Sequence, residues 1–382
     1  MHDLLKNSLD LGHPLYKNFI DLGEPGTKTE QYKNFPIKTL LSREYSVQKV
    51  NQGVAKEGKR LVLENGELIE YPKGLSVSFD KTFEVDKEHF DSLYYFSHIV
   101  SFNTIYVEVE SDISFEFEHI CNGKDKLNIY RVLIETKPGV KVEVLERFSA
   151  DESEGGFLFY GLDLQIAENA TFVWIRDEKL KESLSIVGSH SYKVANHGAL
   201  ELRSFDLGEI DMLHLYKIDL DNYAWVDASH LLLGDENSKR GNVVFINHNE
   251  PYAKSKQEAR TILSGKATGI FDAKICVVHD AQYASASQNS KAILLDTTAH
   301  MYAKPQLEIY TDELEASHGS TIGSLDEEAL FYLRSRGVAL KDARKILVSS
   351  FANTLIESVK NEKFFNRVSE DFHQSYDTKD LS

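Results

Sequence analysis

The chain is poor in cysteine: its 382 residues hold two, Cys121 and Cys276. No CxxC pair occurs, so neither a disulfide framework nor a self-sufficient zinc or iron–sulfur site is written here. Positive charge is also short. There are 43 Lys and Arg against 60 Asp and Glu, a net charge of −17. Coating a nucleic acid needs a basic face, and the one basic knot, KEGKR at 56–60, reads as a solvated loop. Long apolar runs are missing too. No stretch approaches the ~18 consecutive apolar residues that a spanning helix needs. The opening MHDLLKNSLDLGHP holds no apolar run of signal-peptide length. These absences lead to the expectation of a soluble, cytoplasmic protein with no nucleic acid and no membrane among its partners.

What is present is ordinary globular material, 42% hydrophobic and 27% charged, enough for a sizeable core. The length suits two or three domains, or one long repetitive domain with appendages. Residues 1–50 read as helical and irregular. Tyr16, Phe19, Ile20 and Leu22 fall at helical spacing, and Gly23, Pro25, Gly26 and Pro36 then break the pattern. From about residue 68 the period becomes two. VEVE at 107–110, ISFEFE at 113–118 and VKVEVLERF at 140–148 alternate apolar with polar, as strands do. Similar stretches recur behind short polar breaks. Their anchors are Val140, Ala170, Ala199, Ala224, Ala281 and Ala299. One long interval, between Ala224 and Ala281, has room for a further unit near Pro251. Repeats of this size suggest a β-solenoid with imperfect rungs. A β-sandwich would give the same alternation, although it rarely runs for so long without a domain break.

From Asp326 the period changes again. DEEALFYLRSR predicts a short helix, with acids at its N-terminal end and arginines at its C-terminal end, as the macrodipole favours. Gly337 follows as a C′ residue. The next segment places Ala343, Ile346, Leu347, Phe351 and Leu355 on one helical face. The tail after Lys360 turns polar and is expected to fray. The resulting division is an N-terminal helical and irregular region, 1–67, a β core, 68–325, and a C-terminal helical region, 326–382.

Several motifs invite chemistry. GSTIG at 319–323 imitates a nucleophile elbow, but its centre is Thr321 and polar ELEASH precedes it; a Gly-flanked solenoid turn is the better reading. LSGKATG at 263–269 lacks the first Gly and the Ser/Thr of a P-loop. Cys276 and His279 are three apart, which on a strand sends them to opposite faces. Cys121 reads as structural. His318 stands alone between small residues. Glu308, Asp312 and Glu315 could lend oxygens, but a metal at His318 would need ligands from another chain.

The segment KPQLEIYTDELEASHGSTIGSLDEEALFYLRSRGV at 304–338 resembles the SufB/SufD family of iron–sulfur cluster assembly proteins. So does GKATGIFDAKICVVHDAQYASASQNSKAILLDTTAHMYAKPQ at 265–306. YRVLIETKPGVKVEVLERF at 130–148 resembles an early β segment of the family. LGEPGTKTEQYKNFPIKTL at 22–40 is a degraded match to its N-terminal segment. The SHG motif and the length point to the SufD branch. The resemblance implies a mainly β fold, a right-handed parallel β-helix flanked by N- and C-terminal helical regions. It implies a SufB-like partner and a SufC-like ABC-type ATPase docked on the C-terminal helical region. The docking residues would be Phe331, Tyr332, Leu333, Arg334, Ser335, Arg336 and Gly337. It implies a nascent iron–sulfur cluster formed transiently at the subunit interface, with His318 as a ligand and no cluster on the isolated chain. It leaves room for a reduced flavin in the complex. One departure stands out: Ala316 occupies a position where the family often has cysteine, so this subunit offers no thiolate there.

The expected role is therefore a non-enzymatic scaffold. Two other readings remain at this stage. One is a homodimeric or SufB-like scaffold. The other is a β-helix enzyme acting on polysaccharide, for which no carboxylate pair stands out by spacing.

Overall fold

The computed structural model describes residues 9–377, apart from 27, 48–54, 80, 82, 102, 182 and 183. The chain winds between two sheets, laying one strand in each per turn. The first sheet contains Asn103–Val109, Lys126–Thr136, Phe157–Ile166, Ser185–Val194, Asp211–Leu220, Lys239–His248, Thr268–Val277 and His300–Ile309. The second contains Ile113–Asn122, Lys141–Asp151, Thr171–Glu178, Ala199–Asp206, Trp225–Gly234, Lys254–Leu263, Ala284–Leu294 and Leu314–Gly323. Neighbours in each series are parallel. In the second sheet Lys141 pairs with Thr171, then Ala199, Trp225, Lys254, Ser285 and Glu315. The result is a parallel β-helix of about 8 turns with helices at both termini. It is not a sandwich, whose sheets are antiparallel.

This winding explains the uneven anchors. The long interval after Ala224 hides the strand Lys254–Leu263. Ala299 comes too soon because it precedes a strand of the first sheet, His300–Ile309, while Val140, Ala170 and Ala224 precede strands of the second. The polar breaks are corners. His197, Tyr223, Tyr252 and Tyr283 all adopt φ between 56° and 59° or 61° there, a region bulky residues rarely enter. Their rings stack from turn to turn, at centroid separations of 4.9, 4.7 and 5.1 Å, and this contact offsets the backbone cost.

Alternation sends every second side chain into the interior. There the second sheet carries an apolar column through Val144, Trp174, Leu202 and Ala228, beside a polar one through Glu146, Arg176, Ser204 and His230. The polar column is largely satisfied. Glu146 accepts from Tyr160 Oη and Trp174 Nε1, each at 2.8 Å. Arg176 pairs with Asp206 at 2.9 Å. His190 and His214 meet at 2.9 Å. Burial first, and then the Arg176 charge, holds both imidazoles well below their usual range, so they stay neutral.

Both sheets are covered outside. The helices Tyr16–Leu22, Ile37–Ser42 and Ser92–Val100 pack on the first sheet through Phe19, Leu40, Leu41, Leu93 and Phe96, against Phe157, Phe159, Val187 and Leu215. The strands Lys56–Gly58 and Arg60–Glu64 precede residue 68 and already belong to the second sheet. The C-terminal helices Leu340–Ile356 and Glu362–Asp377 pack on the second sheet. Two expectations change here. The tail after Lys360 does not fray over 362–377: Phe364, Val368, Phe372 and Tyr376, four apart, are buried against the sheet. On Leu340–Ile356 the buried residues are Ala343, Val348, Ala352, Leu355 and Ile356, while Ile346 is exposed. A helix face aimed at a flat sheet follows the i, i+4 line through Val348, so Ile346 falls off it.

Candidate functional site

The second sheet ends on Leu314–Gly323 and the first on His300–Ile309, at the same end of the β-helix. Among the described residues no further strand pairs with either. Such edges present unpaired backbone groups and invite pairing. GSTIG therefore lies inside the last strand, not at a turn, because residues 319–323 pair in register with Asn289–Ile293.

His318 lies on this last strand, in register with Gln288. Its column runs back through Gln257 and Ala228 to Leu202, so its side chain belongs to the interior series. It is nonetheless exposed, because among the described residues no rung covers it. Ala316 and Ser320 are its inward neighbours two residues either side. Ala316 extends the column of Leu200, Val226, Ser255 and Ala286.

The carboxylates near it do not join it. Glu315 is three residues away and faces outward. Glu308 is held by Lys274 at 3.2 Å. Among the described residues no group of three or more His, Cys, Asp or Glu is placed to hold a metal ion. Cys121 is buried, and burial pushes it up to about 12. Cys276 is also raised by burial, so neither is a ready thiolate. His279 lies beyond its strand, exposed, against Asp280 at 2.9 Å. At 263–269 two strands are joined by a turn in which Gly265 has φ 60°; no helix follows to make a phosphate cradle.

Three residues after the last strand comes the helix Glu327–Ser335. Asp326 caps it, its Oδ1 accepting from the amides of Glu328 at 2.9 Å and Ala329 at 3.1 Å. Gly337, at φ 89°, closes it. The amide of Gly337 reaches Arg334 O and that of Val338 reaches Leu333 O, the Schellman pattern. Leu330 is buried beneath, whereas Phe331 is 75% and Tyr332 58% exposed. Arg336 lies over the Tyr332 ring at 5.4 Å, and Leu333, Arg334 and Ser335 complete the turn. Tyr302, Ile309, Tyr310 and Ile322 add apolar surface along the terminal strands. The open end thus presents an exposed imidazole and, among the described residues, two unpaired sheet edges, and the helix that presents the aromatic pair follows closely in the chain.

His318 and 331–337 stand out in the sequence, whereas Gln257 and Gln288, which lie behind the histidine, do not. Their only signal is polarity at an inward position, and it becomes legible once the register is known.

A profile of the family described as SUF system FeS cluster assembly, SufBD core domain, matches residues 119–351. The iron–sulfur cluster assembly protein SufD of Escherichia coli is 28% identical over 235 residues, 61% of this chain and 55% of its own. Protein ABCI7, chloroplastic, of Arabidopsis thaliana is 27% identical over 252 residues, 61% of this chain and 50% of its own. An iron–sulfur cluster assembly SufBD family protein of Synechocystis is 25% identical over 263 residues, 66% of this chain and 58% of its own. The matches thus span about half the length of these relatives. The matched region runs from His119 in the interior of the β-helix to Phe351 on the covering helix, and the chain belongs to the SufB/SufD family of iron–sulfur cluster assembly proteins.

Proposed function

We propose that this chain is a non-enzymatic scaffold subunit of SufD type. Its open β-helix end pairs with a SufB-like chain. His318 ligates a nascent iron–sulfur cluster, the cargo of the assembly, at that junction. The helix Glu327–Ser335 and its cap, residues 331–337, dock a SufC-like ABC-type ATPase. One observation carries this reading: His318 continues an interior column yet is exposed, because the solenoid stops there. A side chain in that position is completed by whatever covers the end. Ala316 supplies no thiolate, so sulfur ligands come from the partner. Membership of the family supports SufB- and SufC-like proteins as the partners.

The docking element is tested with the full chain. Truncation at Leu325 would also strip Val348, Phe364 and Phe372 from the second sheet, so surface substitutions are used instead. Phe331→Ser with Tyr332→Ser should abolish co-purification of the ATPase and leave the melting temperature unchanged. Retention of the ATPase by that variant would remove the docking role.

A further inference from the structure

The interior column that ends at His318 changes character near the open end. Through the middle of the solenoid it is Val144, Trp174, Leu202 and Ala228. Its last two covered positions are Gln257 and Gln288, 1% and 2% exposed. Among the described residues, neither the Oε1 nor the Nε2 of either amide has a hydrogen-bond partner. In the adjacent column Ser290, whose next neighbour is Ser320, also has an unpartnered buried hydroxyl. A buried polar group left unpaired costs about 1–3 kcal/mol, and native interiors keep few of them. Apolar side chains fill the same column elsewhere without that cost. Two uncommitted amides on consecutive rungs therefore point to a group that they serve.

His318 is the neighbour of Gln288 on the same face, one strand spacing of about 4.8 Å away. A glutamine is long enough to span that gap, and side-chain rotations of His318, Gln288 and Gln257 bring the three groups together. A histidine that ligates through one ring nitrogen has its tautomer set by the bond made at the other. We propose that Gln288 is a positioning residue for His318. Its Oε1 accepts the ring N–H turned into the solenoid, which leaves the other ring nitrogen with its lone pair directed out of the open end. Gln257, on the rung behind, meets the Gln288 amide and fixes its orientation. The purpose of this device rests on the ligand role of His318; its test does not.

The test uses the full chain labelled with ¹⁵N-histidine, the His318 signal being assigned by its loss in His318→Ala. In the unsubstituted protein the neutral ring should show one dominant tautomer. Gln288→Met keeps the length and fills the space without an acceptor, and the tautomer ratio should fall several-fold towards a mixture. Gln288→Glu keeps an acceptor and should restore the single tautomer. Circular dichroism melting checks that both variants fold. The same tautomer ratio in all three proteins would overturn the proposal, as would loss of the preference in Gln288→Glu as well. If the ratio responds as expected while His318→Ala still assembles cluster, positioning stands and the ligand reading falls. If His318→Ala abolishes assembly and the ratio does not move, the reverse holds.

Discussion

Asp177 and Asp371, each about 1% exposed, face one another beneath the last helix. Burial, and then the Asp371 carboxyl, push Asp177 well above the usual carboxylate range. Asp371 is held low despite its burial, by Asp177, Lys179 and Arg147; Arg367 adds a contact at 3.3 Å. The native state therefore keeps a proton on Asp177 that the unfolded chain releases above about pH 4. Stability from this site falls as pH rises from there to the folded-state value. Asp177→Asn removes that loss. Its melting temperature should match the parent near pH 4 and exceed it increasingly as pH rises towards the folded-state value; parallel curves would refute the assignment. Asp371→Asn should destabilise above pH 4, because three cations lose their shared carboxylate. None of this was legible in the sequence, where the two residues are 194 positions apart. His318 was legible, through the SHG motif. Its inward direction was not, since that depends on register with Gln288 on the previous turn.

At the scale of elements, alternation found strands such as Ile113–Asn122 and Lys141–Asp151 but not those before residue 68 or Lys254–Leu263, and the acid-first, Gly-last pattern found the helix Glu327–Ser335 with its caps. Asp326→Ala should cost about 1 kcal/mol, read as a lower urea midpoint; an unchanged midpoint would show the cap to be idle. Two helices carry little signal in the sequence. Ser92–Val100 is short and buried nearly all round, so it shows no amphipathic face. Glu362–Asp377 looks polar on average, and its stripe Phe364, Val368, Phe372 and Tyr376 is a single line of one residue per turn. That line nevertheless holds the helix to Leu145, Ile175 and Leu207. Phe372→Ala should cost about 3–5 kcal/mol, measured by urea unfolding of the full chain. A cost under about 1 kcal/mol, the range of exposed positions, would mean that the helix is not docked in solution.

For the whole molecule, period-two alternation could not separate a solenoid from a sandwich, because both bury alternate side chains. What separates them is pairing between residues one turn apart, such as Trp174 with Leu202, and no local window contains that information. The resemblance to the SufB/SufD family supplied it before the structure did. The same winding leaves one end uncovered and puts His318 there. Under the proposed function, a partner completes this end and His318 then holds cargo. The most direct measurement is cluster content, by absorbance and by iron and sulfide analysis, of complexes purified with the SufB-like and SufC-like partners and carrying either the parent chain or His318→Ala. The expected result is complexes of the same subunit composition, with cluster lost from the variant. Equal cluster content in the two would contradict it.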